Sequence, residues 1–217
     1  MNMLNEVRRP LRLVAVSAGV SVPSSTRLLA DRLTEAVRRD LAEDGREAQV
    51  RVIELRDLAV DIANNMVTGF PPPHLAEALR AVTEADGLIA VTPVFSASFS
   101  GLFKSFFDVI DNGALVGLPV VVGATGGTAR HSLVLEHALR PLFAFLRTIV
   151  APTGVYAASE DWGGGSDPFT SSLHDRIARA AGELADLMRA RPDRAVPDAD
   201  EVEFVPFEQQ LAAVRPE

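Results

Sequence analysis

The sequence predicts an α/β protein built on a parallel sheet with helices on both faces. Two observations lead there. Five apolar runs, at 11–16, 49–55, 87–92, 118–124 and 150–157, alternate with helix-patterned segments, and every parallel crossover needs such a segment. Two of the runs, Gly87 to Thr92 and Leu118 to Ala124, are almost continuously apolar, the pattern of strands covered on both faces. At 217 residues and 47% hydrophobic content the chain can bury the core this needs.

Composition removes several function classes. A formal net charge of −8 argues against a nucleic-acid partner. The absence of cysteine excludes disulfides, thiolate metal sites and a cysteine nucleophile. His74, His131, His137 and His174 do not cluster with carboxylates at metal-ligand spacing, so no metal is expected. No apolar run reaches the roughly 18–20 residues of a membrane span. Residues 1–10 carry charge without a following apolar core and cleavage site. The expectation is a soluble cytoplasmic protein.

The first strand, Leu11 to Val16, runs into Ser17-Ala18-Gly19-Val20-Ser21-Val22-Pro23-Ser24-Ser25-Thr26-Arg27, and a helix pattern follows from Leu28. A helix N-terminus offers unpaired N–H groups and a partial positive charge to an anion. One serine satisfies a helix cap; here Ser21, Ser24, Ser25, Thr26 and the Arg27 guanidinium crowd together, with Ser17 at the strand end. The loop matches neither G-x-x-x-x-G-K-[ST] nor G-x-G-x-x-G. A single phosphomonoester is the ligand it suits.

Gly45 stops the first helix, and Gln49 to Leu55 alternates as a second strand. Asp57 to Pro73, with Asn64-Asn65, Gly69 and three prolines, predicts a long irregular surface connection. A helix is expected over about 74–85 and a third strand over 87–92. The strand exit Thr92-Pro93-Val94-Phe95-Ser96-Ala97-Ser98-Phe99-Ser100 has small residues that admit a flat ligand, and Gly101 opens a helix carrying Lys104 and Asp108 at i, i+4. Phe103, Phe106 and Phe107 are expected in the core or at a dimer interface; Phe95 and Phe99 suit a ligand edge or a subunit contact. After the fourth strand, Thr125-Gly126-Gly127-Thr128 allows close backbone approach. A long helix over about 130–147, a last strand over 150–157 and a final helix over about 170–191 complete the domain.

Five strands in this alternation fit the order 2-1-3-4-5, in which ligands bind beyond the strands' carboxyl ends at the switch point between strands one and three. The chain resembles the NADPH-dependent FMN reductase family of flavodoxin-like proteins, near the flavin-reductase components of two-component monooxygenases. Ser24-Ser25-Thr26-Arg27-Leu28 resembles the family's S-N-T-R-x-L phosphate element. Thr92-Pro93-Val94-Phe95 with Gly101, Lys104 and Asp108 resembles T-P-x-Y…G-x-L-K…D, and Ala124-Thr125-Gly126-Gly127 its A-T-G-G turn. It departs from the pattern at Gly19, Ser21, Ser25 and Phe95, where Ser, Arg, Asn and Tyr are usual.

The resemblance implies FMN with its phosphate at Ser17, Ser24, Ser25, Thr26 and Arg27. It places the ring between Pro93, Val94, Phe95 and Ser96 on one side and Thr125, Gly126 and Gly127 on the other. NADPH is then the hydride donor, no side-chain acid or base is required, and reduced FMN passes to a monooxygenase. A homodimer or homotetramer is implied. Alternatives are an FMN-retaining quinone, azo or chromate reductase and, from another class, a flavodoxin-type electron carrier; a hydrolase lacks its G-x-S-x-G elbow. Residues 1–191 are expected as the flavin-binding domain and 192–217 as an acidic arm; an unstructured tail is the default for such a segment, and the apolar cluster Phe204-Val205-Pro206-Phe207 favours docking on a neighbouring subunit. The Gly-rich stretch 158–168 around Trp162 suits either a flap near the cofactor or a plain exposed loop.

Overall fold

The computed structural model describes residues 9–163 and 172–191. Strands β1 (Leu11–Ser17), β2 (Ala48–Glu54), β3 (Gly87–Phe95) and β5 (Pro119–Gly126) form the parallel centre of one sheet, in the order β2-β1-β3-β5. The two-residue β4 (Ser98–Phe99) folds back antiparallel on β3. β6 (Ile149–Val150) and β7 (Val155–Ala158) both pair parallel with β5. The sheet therefore has seven strands where five were expected. The extra two have local causes. A tight hairpin follows Phe95, and the segment Ala151–Gly154, which contains Pro152, separates β6 from β7; a proline has no N–H to give a ladder.

Alternate residues of each central strand serve opposite faces, as the period of two requires. Val14, Val16, Leu88, Ala90, Val120 and Val122 enter one core; Leu13, Ala15, Ile89, Val91 and Val121 enter the other. The second core is closed by α1 (Ser25–Glu43) and α6 (Leu173–Ala190), whose Leu29, Leu33, Val37, Ile177 and Leu184 recur at helical spacing. The first is closed by α2 (Ala59–Thr68), α3 (Pro73–Thr83), α4 (Gly101–Asp108) and α5 (Arg140–Phe145). Phe103, Phe106 and Phe107 are buried there as expected, with Phe143 edge-on to Phe107 at 5.0 Å between ring centres.

Three expected elements differ. The connection 57–73 is a 3-10 turn (Leu55–Leu58) followed by α2, because Ile62 and Asn65 bury a face and Gly69, at φ 77°, closes the helix with its N–H on the Asn65 carbonyl. The prolines begin only beyond that cap, and Pro73 sits in the first turn of α3, where a missing N–H costs nothing. The helix expected over 130–147 is broken into a 3-10 turn (Ala129–His131), a π turn (Leu135–Leu139) and α5. Pro141 has no N–H for the carbonyl four residues back, and the widened turn precedes it. The start of the Gly-rich stretch is ordered: Ser159–Gly163 is a 3-10 turn pinned by Arg176, which donates to Asp161 at 2.7 Å and to the Tyr156 carbonyl. Trp162 lies under the Arg32 guanidinium at 5.0 Å, against α1. The rest of that stretch and the arm from 192 lie outside the described residues. Among the described residues no helix is long and apolar enough to cross a membrane, and no group of side chains could hold a metal ion.

Candidate functional site

The three loops singled out in the sequence leave the carboxyl ends of adjacent strands. Ser17 pairs in register with Val91 of β3, Pro93 of β3 pairs with Thr125 of β5, and the Ala18 N–H reaches the Val91 carbonyl at 2.9 Å. Thr26, in the first turn of α1, closes the arrangement: its Oγ1 lies 2.8 Å from Oγ1 of Thr125. Both threonines are buried. The first and third loops are thus tied together across the switch point.

The first loop is folded on itself. Ser24 caps α1, accepting from the Arg27 N–H at 3.2 Å, and Ser21 donates to the Pro23 carbonyl at 2.9 Å. Gly19 is required by contact: a Cβ there would lie 2.0 Å from Ser24 Oγ. Ser17 is buried under the loop and Ser25 is exposed beside it. The N–H groups of Ser25 and Thr26, at the first two positions of α1, have no carbonyl four residues earlier in the helix. These two donors, the Ser25 hydroxyl and the positive helix end are what the loop offers an anion.

Arg27 is already engaged. Its Nε donates to Asp31 at 2.8 Å and its Nη1 to Glu54 at 2.5 Å, and the Asp31 hydrogen bond, against some desolvation, raises its pKa above the ordinary arginine value. Glu54 ends β2 in register with Ser17. Its other oxygen meets Arg56 at 3.2 Å, and Arg56 donates to the Ser21 carbonyl at 3.3 Å. Glu54 and Arg56 were not singled out in the sequence. The signal was present, since a parallel β1–β2 pair must bring the end of β2 beside the loop that ends β1.

The second loop is a hairpin. Thr92 accepts from the Ser100 N–H at 3.0 Å, Val94 pairs with Phe99, and Phe95 with Ser98. Between them Ser96 (φ 47°) and Ala97 (φ 67°) occupy the left-handed region, as a two-residue hairpin turn requires. Pro93 and Val94 are half-buried, while Phe95 and Ser96 are exposed. Phe99 is half-buried against the core, 6.0 Å from Phe103 between ring centres. Lys104 and Asp108 form the expected i, i+4 pair at the surface.

In the third loop Thr125 is buried, Gly126 half-buried and Gly127 exposed. A Cβ on Gly126 would meet the Tyr156 hydroxyl at 2.1 Å, whereas one on Gly127 would meet nothing within 4 Å. Tyr156, also unforeseen, donates its hydroxyl to the Thr128 carbonyl at 2.7 Å and so fixes the turn from beneath. Burial, helped by Glu160 and Asp161, pushes its pKa up, so it stays protonated and donating. A cleft of about 290 Å³ along β2, lined by Arg51, Glu54, Asp61 and His74 among others, contains none of the residues expected to bind flavin.

A parallel α/β sheet whose hydroxyl-rich strand–loop–helix turn meets a glycine turn at the switch point defines a flavodoxin-like protein. Residues 11–163 match the family model described as NADPH-dependent FMN reductase, and the chain belongs to that family. It is 40% identical to "FMN reductase (NADPH)" of Pseudomonas aeruginosa over 187 residues, covering 85% of this chain and 96% of that protein. It is likewise 40% identical to "NADH-dependent FMN reductase SfnE" of Pseudomonas putida, over 87% of this chain and 92% of the relative. A solved oxidoreductase from Corynebacterium diphtheriae superposes with a TM-score of 0.81 at 46% identity, covering 85% of this chain and all of that one (100%).

Proposed function

We propose that the protein is an NAD(P)H:FMN oxidoreductase that reduces FMN and delivers the reduced flavin to a partner monooxygenase. The observation that carries the reading is the joining of the first and third loops through Thr26 and Thr125, which makes one site from three strand ends. The residues fit FMN. Two unpaired helix N–H groups and the Ser25 hydroxyl suit a phosphate, and the open space at Gly127 with the exposed rim of Phe95 and Ser96 suits a flat ring. Bound FMN supplies the redox chemistry, accepting hydride from a nicotinamide nucleotide. The chain's own part is placement: Ser24 caps and shapes the phosphate turn, Tyr156 holds the Gly126-Gly127 turn, and Thr92 holds the hairpin carrying Pro93, Val94, Phe95 and Ser96.

Delivery of reduced flavin fits a phosphate site with no uncommitted arginine, as Arg27 is held by two carboxylates. A homodimer is supported by four apolar side chains exposed on and just after α2, Val60, Met66, Val67 and Phe70. The testing experiment is anaerobic stopped-flow oxidation of NADPH and of NADH with and without added FMN. Nicotinamide oxidation that rises with free FMN and saturates supports the reading. Turnover confined to copurified flavin, with a quinone as acceptor, replaces it with the quinone-reductase alternative; no flavin binding and no oxidation removes both.

A further inference from the structure

The only arginine in the first turn of α1 is neutralised before any phosphate arrives. Parallel pairing of β1 with β2 sets Glu54 opposite Ser17, at the mouth of the hydroxyl loop. From there its carboxylate takes Arg27 Nη1 at 2.5 Å while Asp31, one helical turn along, takes Nε at 2.8 Å. Arg56 approaches Glu54 at 3.2 Å and Asp57 at 3.4 Å. Two guanidinium groups and three carboxylates therefore share this rim, leaving it one unit negative beside a loop otherwise suited to an anion. The Arg27 side chain is 35% exposed and that of Glu54 18%, so the pair sits where an incoming anion can reach the cation without unfolding anything.

We infer that Glu54 is a built-in rival of the flavin phosphate for Arg27, weakening FMN retention so that the flavin exchanges as a substrate. The inference rests on the FMN-reductase reading above and adds to it a residue that sets retention. A phosphomonoester dianion and a carboxylate accept from the same fork of guanidinium donors. With Glu54 in place, the phosphate must share or displace it, and the part of FMN affinity owed to the phosphate is reduced. Riboflavin has the same ring and no phosphate, so its binding does not register the competition. Reduced FMN keeps the phosphate, so the same rivalry speeds its departure to a partner.

Glu54 also has a plain structural role, because through Arg56 it helps hold the Ser21 carbonyl. The two roles predict opposite signs. If Glu54 mainly straps the loop, Glu54→Gln weakens FMN binding. If it competes, Glu54→Gln frees one face of Arg27, makes the rim one charge more positive, and tightens FMN roughly tenfold, which is about 1.4 kcal/mol.

The experiment is calorimetric titration of flavin-free protein with FMN and, in parallel, with riboflavin. It compares wild type, Glu54→Gln, Asp31→Asn, Arg27→Ala and the Arg27→Ala/Glu54→Gln double variant, each checked for an intact thermal transition. The expected result is tighter FMN and unchanged riboflavin for Glu54→Gln, the same direction for Asp31→Asn, and a clearly smaller effect of Glu54→Gln once Arg27 is alanine. Asp31→Asn keeps the question open to refutation should Glu54→Gln fail to fold. FMN binding that is unchanged or weaker in the carboxylate variants overturns the competition while leaving the FMN-reductase reading intact. A wild type that binds neither flavin removes that reading, and the competition with it.

Discussion

Thr26 and Thr125 stand 99 residues apart in sequence, yet their buried hydroxyls meet at 2.8 Å and join the loop after β1 to the loop after β5. Neither hydroxyl has another hydrogen-bond partner among the described residues, so the pair shares a single hydrogen bond in which one donates and the other accepts. Thr26→Val or Thr125→Val keeps the shape and strands the remaining hydroxyl. Each single change is expected to cost about 1–3 kcal/mol in denaturant unfolding, whereas the double valine variant recovers most of it, because two apolar groups of the same shape leave nothing unpaired. FMN affinity does not recover in the double variant if the link also aligns the two loops.

That contact also marks what the sequence could and could not reveal. The βα alternation, the buried phenylalanines of α4 and the three loops at the carboxyl ends of the strands were legible, because period-two and helical patterns and strand–loop–helix junctions are local signals. The order β2-β1-β3 followed, and with it the convergence of the loops. Glu54 and Tyr156 were not recognised, since their roles depend on which strand lies beside which loop. The helix α2 was missed because Asn64-Asn65 and the later prolines imitate a turn, while Ile62 and Asn65 supply only two buried positions. The break before Pro141 is a backbone effect that an apolar pattern conceals.

Gly126 has a specific neighbour. A Cβ at that position would lie 2.1 Å from the Tyr156 hydroxyl oxygen and 3.2 Å from the ring carbon bearing it. Gly126→Ala is therefore expected to lose about 1–3 kcal/mol through overpacking of a tightly held ring. Tyr156→Phe alone loses about 1 kcal/mol, because it deprives the Thr128 carbonyl of its donor. Combining them is expected to cost less than the sum, since the phenylalanine removes the clashing oxygen. A double-mutant cycle in urea reads the coupling directly, and strict additivity would show that the two positions do not collide.

The hairpin turn holds strain that a single substitution can release. Ala97 adopts φ 67° without the freedom of glycine. Ala97→Gly relieves a Cβ clash of about 1 kcal/mol, against the larger entropy glycine loses on folding. A net gain of a few tenths of a kcal/mol is expected, seen as a small rise in the unfolding midpoint at constant slope. Ala97→Val, branched at Cβ, is expected to lower the midpoint. Equal midpoints for all three residues would mean that the turn relaxes away from its left-handed backbone.

At the opposite, amino-terminal end of the central strands Asp86 fastens the entry to β1. Its carboxylate accepts from the Arg12 N–H at 2.7 Å and from both terminal nitrogens of Arg9 at 2.7 and 2.9 Å. Burial pushes the pKa of this group up, but the Arg9 and Arg12 hydrogen bonds and charges outweigh it, and the net value lies below the ordinary carboxylate range. The unfolded chain, with its aspartate near pKa 3.9, takes up the proton first as pH falls. The stabilisation is thus complete above about pH 4–5 and is lost progressively as pH drops through the lower folded value. Asp86→Asn removes it throughout, so the variant is expected to be about 2 kcal/mol less stable at pH 7 and to converge on wild type in acid. Urea unfolding from pH 7 to pH 3 tests this: a gap between the two proteins that stays constant over that range would show that the charge of Asp86 contributes nothing.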